Sequence, residues 1–280
     1  MNATVAVIAQ GAMGAGVGGR LAERGLHVIT SLAGRSEASA KRAREAGMIA
    51  VSDQECAQAD YFLSILPPSE ALPLAKKMAA LIGPGNKKPV YVDCNAVSPP
   101  TKVEIGNVIT KAGAPFVDVG IIGMPPTKDG GSPWLHASGP DSARVAPLGD
   151  FGINVNIVDG PIGAASALKM SYAGITKGVT ALGSMMMLAA TRHGAAEGLR
   201  RELERSQTAL FPWFQRQIPA MYPKAYRFVG EMDEIAAFVG DDPAAKKLYE
   251  AISAFYTRLA ADFAGRQDET NALTAMVKTK

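Results

Sequence analysis

The sequence predicts an α/β protein: a doubly wound, mainly parallel sheet, then a long helix and an all-helical second domain. Three observations carry this. Short apolar runs alternate with amphipathic stretches through the first half of the 280 residues. A proline-free stretch rich in Ala, Leu and Met follows over residues 163–193. No strand-like run stands out after it. Alternation of this kind implies crossover connections, and so parallel strands with helices on both faces.

The strands are expected at residues 4–9, 27–30, 48–51, 61–66 and 90–93, then at 116–121, 135–137 and 155–158. The first five are short runs rich in branched or aromatic side chains, bounded by Gly, Pro, Asp or Ser. Residues 13–24 and 37–46 read as helices. Gly25 and Gly47 close them where a left-handed C-cap wants glycine. Near Gly160 the pattern changes. A helix over 163–193 would reach about 45 Å, too long for a crossover in a small sheet. It reads as a spine opening the second domain. Residues 195–211 and 243–263 are amphipathic and continue the helical part. The expected domains are 1–160 and 161–280.

Composition excludes several classes. With 48% hydrophobic and 20% charged residues, the chain is neither disordered nor fibrous. A net charge of +3 gives no basic footprint for nucleic acid. Cys56 and Cys94 lie far apart in no metal-ligand spacing, which argues against a disulfide framework or a bound metal and suits a reducing cytoplasm. His27, His136 and His193 sit apart and read as structural. The N-terminus lacks the basic region of a signal peptide. The most apolar run, residues 178–190, falls short of the ~18 residues that span a bilayer. A soluble, cytoplasmic protein with no membrane partner is the expectation.

The first strand runs into Ala9-Gln10-Gly11-Ala12-Met13-Gly14. This is a glycine turn with alanine where G-x-G-x-x-G has its first glycine. Gly11 would let the backbone approach a pyrophosphate, and Gly14 would let the helix pack close to the strand. The helix N-terminus, with Ala12 and Met13 in its first turn, offers free N–H groups to phosphates. At the end of the second strand an NAD site usually carries a carboxylate. Here Ser31, Arg35 and Ser36 precede the first one, Glu37. A guanidinium and two hydroxyls suit a 2′-phosphate, so NADP (as NADPH) is the expected cofactor.

These residues resemble the β-hydroxyacid dehydrogenase superfamily, which includes 6-phosphogluconate dehydrogenase-like oxidoreductases and the related imine reductases. The resemblance runs nearly end to end. It is carried by residues 11–14, by Leu66-Pro67-Pro68, by residues 93–99 and 118–123, and by the run from Gly163 to Lys169. Residues 227–235 resemble the C-terminal domain of an uncharacterised branch. The resemblance implies that Lys169 is the general acid/base on a carbonyl or hydroxyl. It also implies that Leu66, Pro67, Pro68 and Asn95 border the cofactor, with Asn95 either touching it or capping the next helix.

The residues themselves support a proton-transfer role for Lys169. It sits among Ala165, Ala167, Leu168 and Met170, where desolvation favours a neutral amine. Ser166 and Tyr172, three residues either side, share its helix face, and a phenol beside an amine can relay a proton.

Two departures bear on the substrate. Ile122-Gly123-Met124 stands where the family generally has a serine and paired glycines that hold a carboxylate. Ala173 stands where it tends to have asparagine. With Ile122, Gly123, Ser166 and Ala173 as its lining, the pocket would take a small molecule bulkier or less acidic than a simple hydroxy acid. An imine is the alternative substrate, although imine reductases generally replace the lysine. A non-catalytic NADP-binding sensor is the rival from another class, and retention of Lys169 weighs against it. The family usually completes each cleft with a partner's helices, which implies a homodimer.

Overall fold

The computed structural model describes residues 3–127 and 130–278. The chain divides into two compact units, Met1–Lys169 and Met170–Lys280, so the division falls inside the long helix.

The first unit is built on one eight-stranded sheet in the order β3-β2-β1-β4-β5-β6-β7-β8. The strands are β1 (Thr4–Ile8), β2 (His27–Ser31), β3 (Ile49–Val51), β4 (Tyr61–Ser64), β5 (Val90–Asp93), β6 (Phe116–Ile122), β7 (Trp134–Ser138) and β8 (Asn154–Ile157). All eight expected strands are present. β1 to β6 pair in parallel, β7 runs antiparallel to β6, and β8 is parallel to β7. The chain winds outward from β1 to β3 and then restarts at β4 on β1's other side. In such sheets the ligand crevice lies outside the carboxyl ends of the strands at that switch point.

Strand alternation sorts the side chains into two cores. Val5, Val7, Leu63, Val92, Val117 and Val119 pack on the face covered by α1 (Ala12–Glu23) and α2 (Glu37–Glu45). Ala6, Ile8, Phe62, Tyr91 and Phe116 pack on the other face. There the cover is α3 (Asp53–Cys56), α4 (Pro68–Ile82) and α5 (Pro99–Lys111).

α6 (Ala164–Arg192) is 29 residues long. Counted over an 18-residue window, it reaches a mean hydropathy of 1.2. By length and composition alone this helix could cross a membrane, a test that the core helix of a soluble protein also passes. Only 33% of the window is buried within the protein.

The second unit continues with α7 (Ala196–Ser206), α8 (Leu210–Met221), α9 (Ala225–Phe238), α10 (Pro243–Ala264) and α11 (Asp268–Val277). The single helix expected over 195–211 is two helices. Pro212 explains the break. A continuous helix would set its ring against the carbonyl of Thr208, so the chain restarts at Leu210. Phe214, Ile218, Met232, Ile252, Phe255, Tyr256 and Leu259 form this unit's core, and Met187 of α6 is buried against them.

Candidate active site and dinucleotide cradle

The glycine turn is shaped by two opposite demands. A Cβ on Gly14 would lie 1.8 Å from the Ala9 carbonyl oxygen, so only glycine fits there. A Cβ on Gly11 would meet nothing within 4 Å. Gly11 is extended, with φ −72° and ψ −178°, and side chains are allowed in that region. Its bareness therefore serves no packing need inside the protein. It leaves open space before the helix start, where a phosphate can approach the backbone.

Gly11 is the N-cap of α1, with no side-chain cap and no acidic residue in the first turn, where Ala12 and Met13 begin the helix. Uncapped N–H groups at a bare helix start suit a pyrophosphate. Among the described non-glycine residues, Gln267 alone has positive φ, so Ala9 fills the first-glycine position without left-handed strain. Sequence reasoning did not single out Arg42. Its Nε donates to the Gln10 carbonyl at 2.6 Å, which ties α2 to the turn.

At the exit of β2, Ser31 is buried, while Arg35 and Ser36 are exposed. Ser36 is the N-cap of α2, its Oγ accepting from the Ser39 amide at 3.3 Å. Gln10 reaches over from the glycine turn. Its Nε2 donates to Thr30 Oγ1 and, at 3.1 Å, to the Ser31 carbonyl.

The exits of β4 and β5 are locked by Asn95, which is buried. Its Oδ1 accepts from the Leu66 amide at 2.6 Å. Its Nδ2 donates to Ser64 Oγ and to Asp93 Oδ2, both at 2.8 Å. Pro67 is the N-cap of α4 and Pro68 its first residue, so the segment after Leu66 is held stiff. The cap of α5 is Ser98, not Asn95.

A buried charge network lies beside this lock. Ser64, Asp93, Asp118 and Ser138 occupy neighbouring register positions on β4, β5, β6 and β7. All four are fully buried. Lys102, from the first turn of α5, inserts between the two carboxylates. It pairs with Asp93 and lies 3.3 Å from Asp118 Oδ1. It also donates to the Asp93 carbonyl at 2.6 Å. Burial opposes the Lys102 charge, but the Asp93 and Asp118 carboxylates more than offset it and hold the ammonium above the ordinary lysine range.

Asp118 in turn fixes the start of α6. Its Oδ2 accepts from the amides of Gly163 (2.9 Å) and Ser166 (3.2 Å), and its Oδ1 from Ser166 Oγ (2.8 Å). Ser138 Oγ donates to Asp118 and accepts from the Ala165 amide. Three residues beyond Ser166 is Lys169. The helix crosses β6 at Gly120, where a Cβ would lie 2.6 Å from the Ala165 carbonyl oxygen and 3.1 Å from Lys169 Cβ. Gly120 thus sets how closely Lys169 approaches the sheet. Its charge also reaches the buried Cys94, whose thiol burial pushes up to about 12, against the lowering effect of Lys102 and Lys169.

Ile122 ends β6, and Gly123 follows with φ +126°, a conformation that L side chains rarely adopt. The register places His136 beside Gly120 and Trp134 beside Ile122. Both therefore share the face on which Lys169 lies. His136 contacts Asn156 at 3.1 Å and stacks on Trp134, and burial lowers its pKa. Of the remaining expected residues, Ser166 points into the Asp118 network, Ala173 is half-buried, and Tyr172 is about half exposed. In the helical unit, Lys177 pairs with Glu231 and lies 4.7 Å from the Phe228 ring centroid.

A bare glycine turn at the switch point of a doubly wound sheet, with a lysine seated against β6 at Gly120, defines an NAD(P)-binding oxidoreductase scaffold. Residues 4–145 match the NAD-binding domain of 6-phosphogluconate dehydrogenase, and residues 190–259 match a domain of unknown function (DUF1932). The chain belongs to this 6-phosphogluconate and 3-hydroxyacid dehydrogenase-related family.

An uncharacterised 28.5 kDa protein of Methanothermus fervidus is 30% identical over 188 residues, 66% of this chain and 70% of that one. Among solved structures, a conserved protein described as structurally similar to 3-hydroxyacid dehydrogenases is 28% identical. It aligns at TM-score 0.79 over 96% of this chain and 99% of its own. The 3-hydroxyisobutyrate dehydrogenase of Mycobacterium tuberculosis is 17% identical at TM-score 0.73, covering 99% of each chain. An imine reductase of Myxococcus stipitatus in complex with NADP+ is 15% identical at TM-score 0.54, over 99% of this chain and all of that one. The last two show likeness of fold alone.

Proposed function

We propose that the protein is an NADP-dependent oxidoreductase acting on a carbonyl or hydroxyl carbon of a small molecule, with Lys169 as general acid/base. The observation that carries this reading is the seating of Lys169: Asp118 grips the first turn of α6, and Gly120 admits the helix close to the sheet.

Gly11, Ala12, Met13 and Gly14 would hold the pyrophosphate, and Ser31, Arg35 and Ser36 the 2′-phosphate. When bound, the nicotinamide supplies the hydride. The chain's own work is position and proton transfer. Asn95 holds the Leu66 amide, and so the Pro67-Pro68 segment, in place beside the cofactor. Lys169 Nζ donates a proton to the substrate oxygen as negative charge develops there, and takes it back in the oxidative direction. Tyr172, one turn on, donates to the same oxygen or to the amine. Ile122, Gly123, Ser166 and Ala173 belong to the substrate side. Ile122 and Ala173 supply no side-chain donors for a carboxylate, so a bulky or weakly acidic substrate suits the site. The same apolar lining and the imine reductase fold likeness favour imine reduction as the second reading.

The protein is read as soluble and cytoplasmic, and as a homodimer in which each site is completed by the partner's helical part. Tyr172, Ile175, Leu182 and Met186 recur at spacings of three, seven and four on α6 and are all more than half exposed. That stripe suits a second copy.

NADPH fluorescence titration followed by a panel of carbonyl compounds and cyclic imines tests the reading. Lys169→Ala is expected to lower carbonyl turnover by about 10²–10⁴-fold with NADPH affinity kept. Tight NADPH binding, no turnover on any compound and no effect of Lys169→Ala would identify a sensor instead.

A further inference from the structure

Ser31 sits between two neighbours that the sequence keeps apart. On one side its carbonyl accepts from Gln10 of the glycine turn at 3.1 Å. On the other it pairs in register with Val51 of β3, and α3 begins two residues later at Asp53. The Ser31 side chain favours the charged form of the Asp53 carboxylate. Asp53 Oδ2 also meets Lys77 Nζ, from α4, at 2.5 Å. The Arg35 guanidinium acts on the same carboxylate. Burial works against the Asp53 charge. Hydrogen bonds from Lys77 and Ser31, with the charges of Lys77 and Arg35, outweigh it and hold the carboxyl below its ordinary range.

The Asp53–Lys77 pair therefore lies beside the exit of β2, where Ser31 and Arg35 favour the Asp53 charge, one strand away from the bare turn at Gly11. This is where the adenosine ribose of a dinucleotide lies in such a sheet. A ribose 2′-hydroxyl needs an acceptor there. A 2′-phosphate needs cations and is repelled by a carboxylate.

We propose that Asp53 and Lys77, together with Ser31 and Arg35, form the site that discriminates NADPH from NADH. Asp53 acts as a resident anion that engages the cations a 2′-phosphate requires and offers an acceptor to a free 2′-hydroxyl. Lys77 sides with the phosphate. The carboxylate thus narrows the NADPH preference that Arg35 sets. This rests on the glycine turn being a dinucleotide cradle.

Fluorescence titration of the full chain with NADPH and with NADH, at one fixed ionic strength, tests both. Asp53→Asn is expected to tighten NADPH, weaken NADH and raise the affinity ratio by about tenfold. Lys77→Met is expected to lower that ratio by about the same factor. Lys77 is exposed and Asp53 half-buried, and the Ser52–Glu55 capping box holds α3 without them, so both variants are expected to fold, as circular dichroism would show. Binding of either cofactor with a ratio unmoved by both variants overturns the proposal and leaves the cradle standing. If the parent protein binds neither, the cradle reading falls and this proposal falls with it.

Discussion

Lys102 and Asp118 form an ion pair that water does not reach: Nζ lies 3.3 Å from Oδ1, and both side chains are fully buried. Asp93 completes the set. Lys102→Met would strand two carboxylates in the core. The expected cost is roughly 3–5 kcal/mol, read by urea unfolding. Adding Asp118→Asn should restore part of it, since one stranded charge is then gone.

The same pair sets an alkaline limit. The folded Lys102 pKa is raised above the ordinary 10.5. Its contribution is therefore complete below the unfolded value and is lost as pH rises through the folded one. The parent protein should lose stability above about pH 10.5. Lys102→Met should lack that component, so the stability gap between the two should close with rising pH. A gap that stays constant to pH 12 would exclude this account.

The two glycines of the turn separate packing from binding. Gly11→Ala should leave the melting temperature nearly unchanged, because the new methyl meets nothing, yet raise the NADPH Kd by about tenfold or more. Gly14→Ala should destabilise by about 1–3 kcal/mol, because its methyl would collide with the Ala9 carbonyl. Equal thermal shifts in the two variants would contradict this assignment.

Asn95→Leu should cost about 1–3 kcal/mol by leaving the Leu66 amide and the Asp93 carboxylate short of partners. NADPH affinity should fall with it. Asn95→Asp keeps the acceptor for Leu66 but adds a charge beside Asp93, and should be the worse of the two at neutral pH.

The apolar stripe on α6 predicts association. Ile175→Glu with Leu182→Glu should convert the protein to a monomer by light scattering, with the far-ultraviolet circular dichroism unchanged. Persistence of a dimer would place the interface elsewhere.

Much of the fold was legible because the central strands β1, β4, β5 and β6 are short apolar runs with polar punctuation, buried on both faces. The glycine turn stood out by its spacing after the first strand, whereas Lys169 was marked by the family resemblance, its apolar neighbours only adding that desolvation favours a neutral amine. Lys102 was not legible. It reads as one charge in the first turn of an amphipathic helix, and nothing near it in sequence hints at two buried carboxylates. Those carboxylates become neighbours only through the pairing of Asp93 with Asp118 across two strands. Asp53 escaped notice likewise, since its link to Ser31 exists only once β3 lies beside β2. His136 read as an isolated histidine until β7 folded back on β6 and set it beside Gly120. What periodicity misses in each case is lateral adjacency.

The cross-sheet row of Ser64, Asp93, Asp118 and Ser138 has an effect on assembly as well as on chemistry. Side chains alternate along a strand, so a one-residue slip of β5 or β6 would turn a carboxylate toward Val92, Val117 and Val119 on the opposite face. Lys102 could not follow it there. Charge is satisfied in a single alignment of these strands, which makes the row a proofreading device for the sheet. The start of α6 is hydrogen-bonded to that same row, so the lysine reaches its seat only in chains whose strands have passed the check.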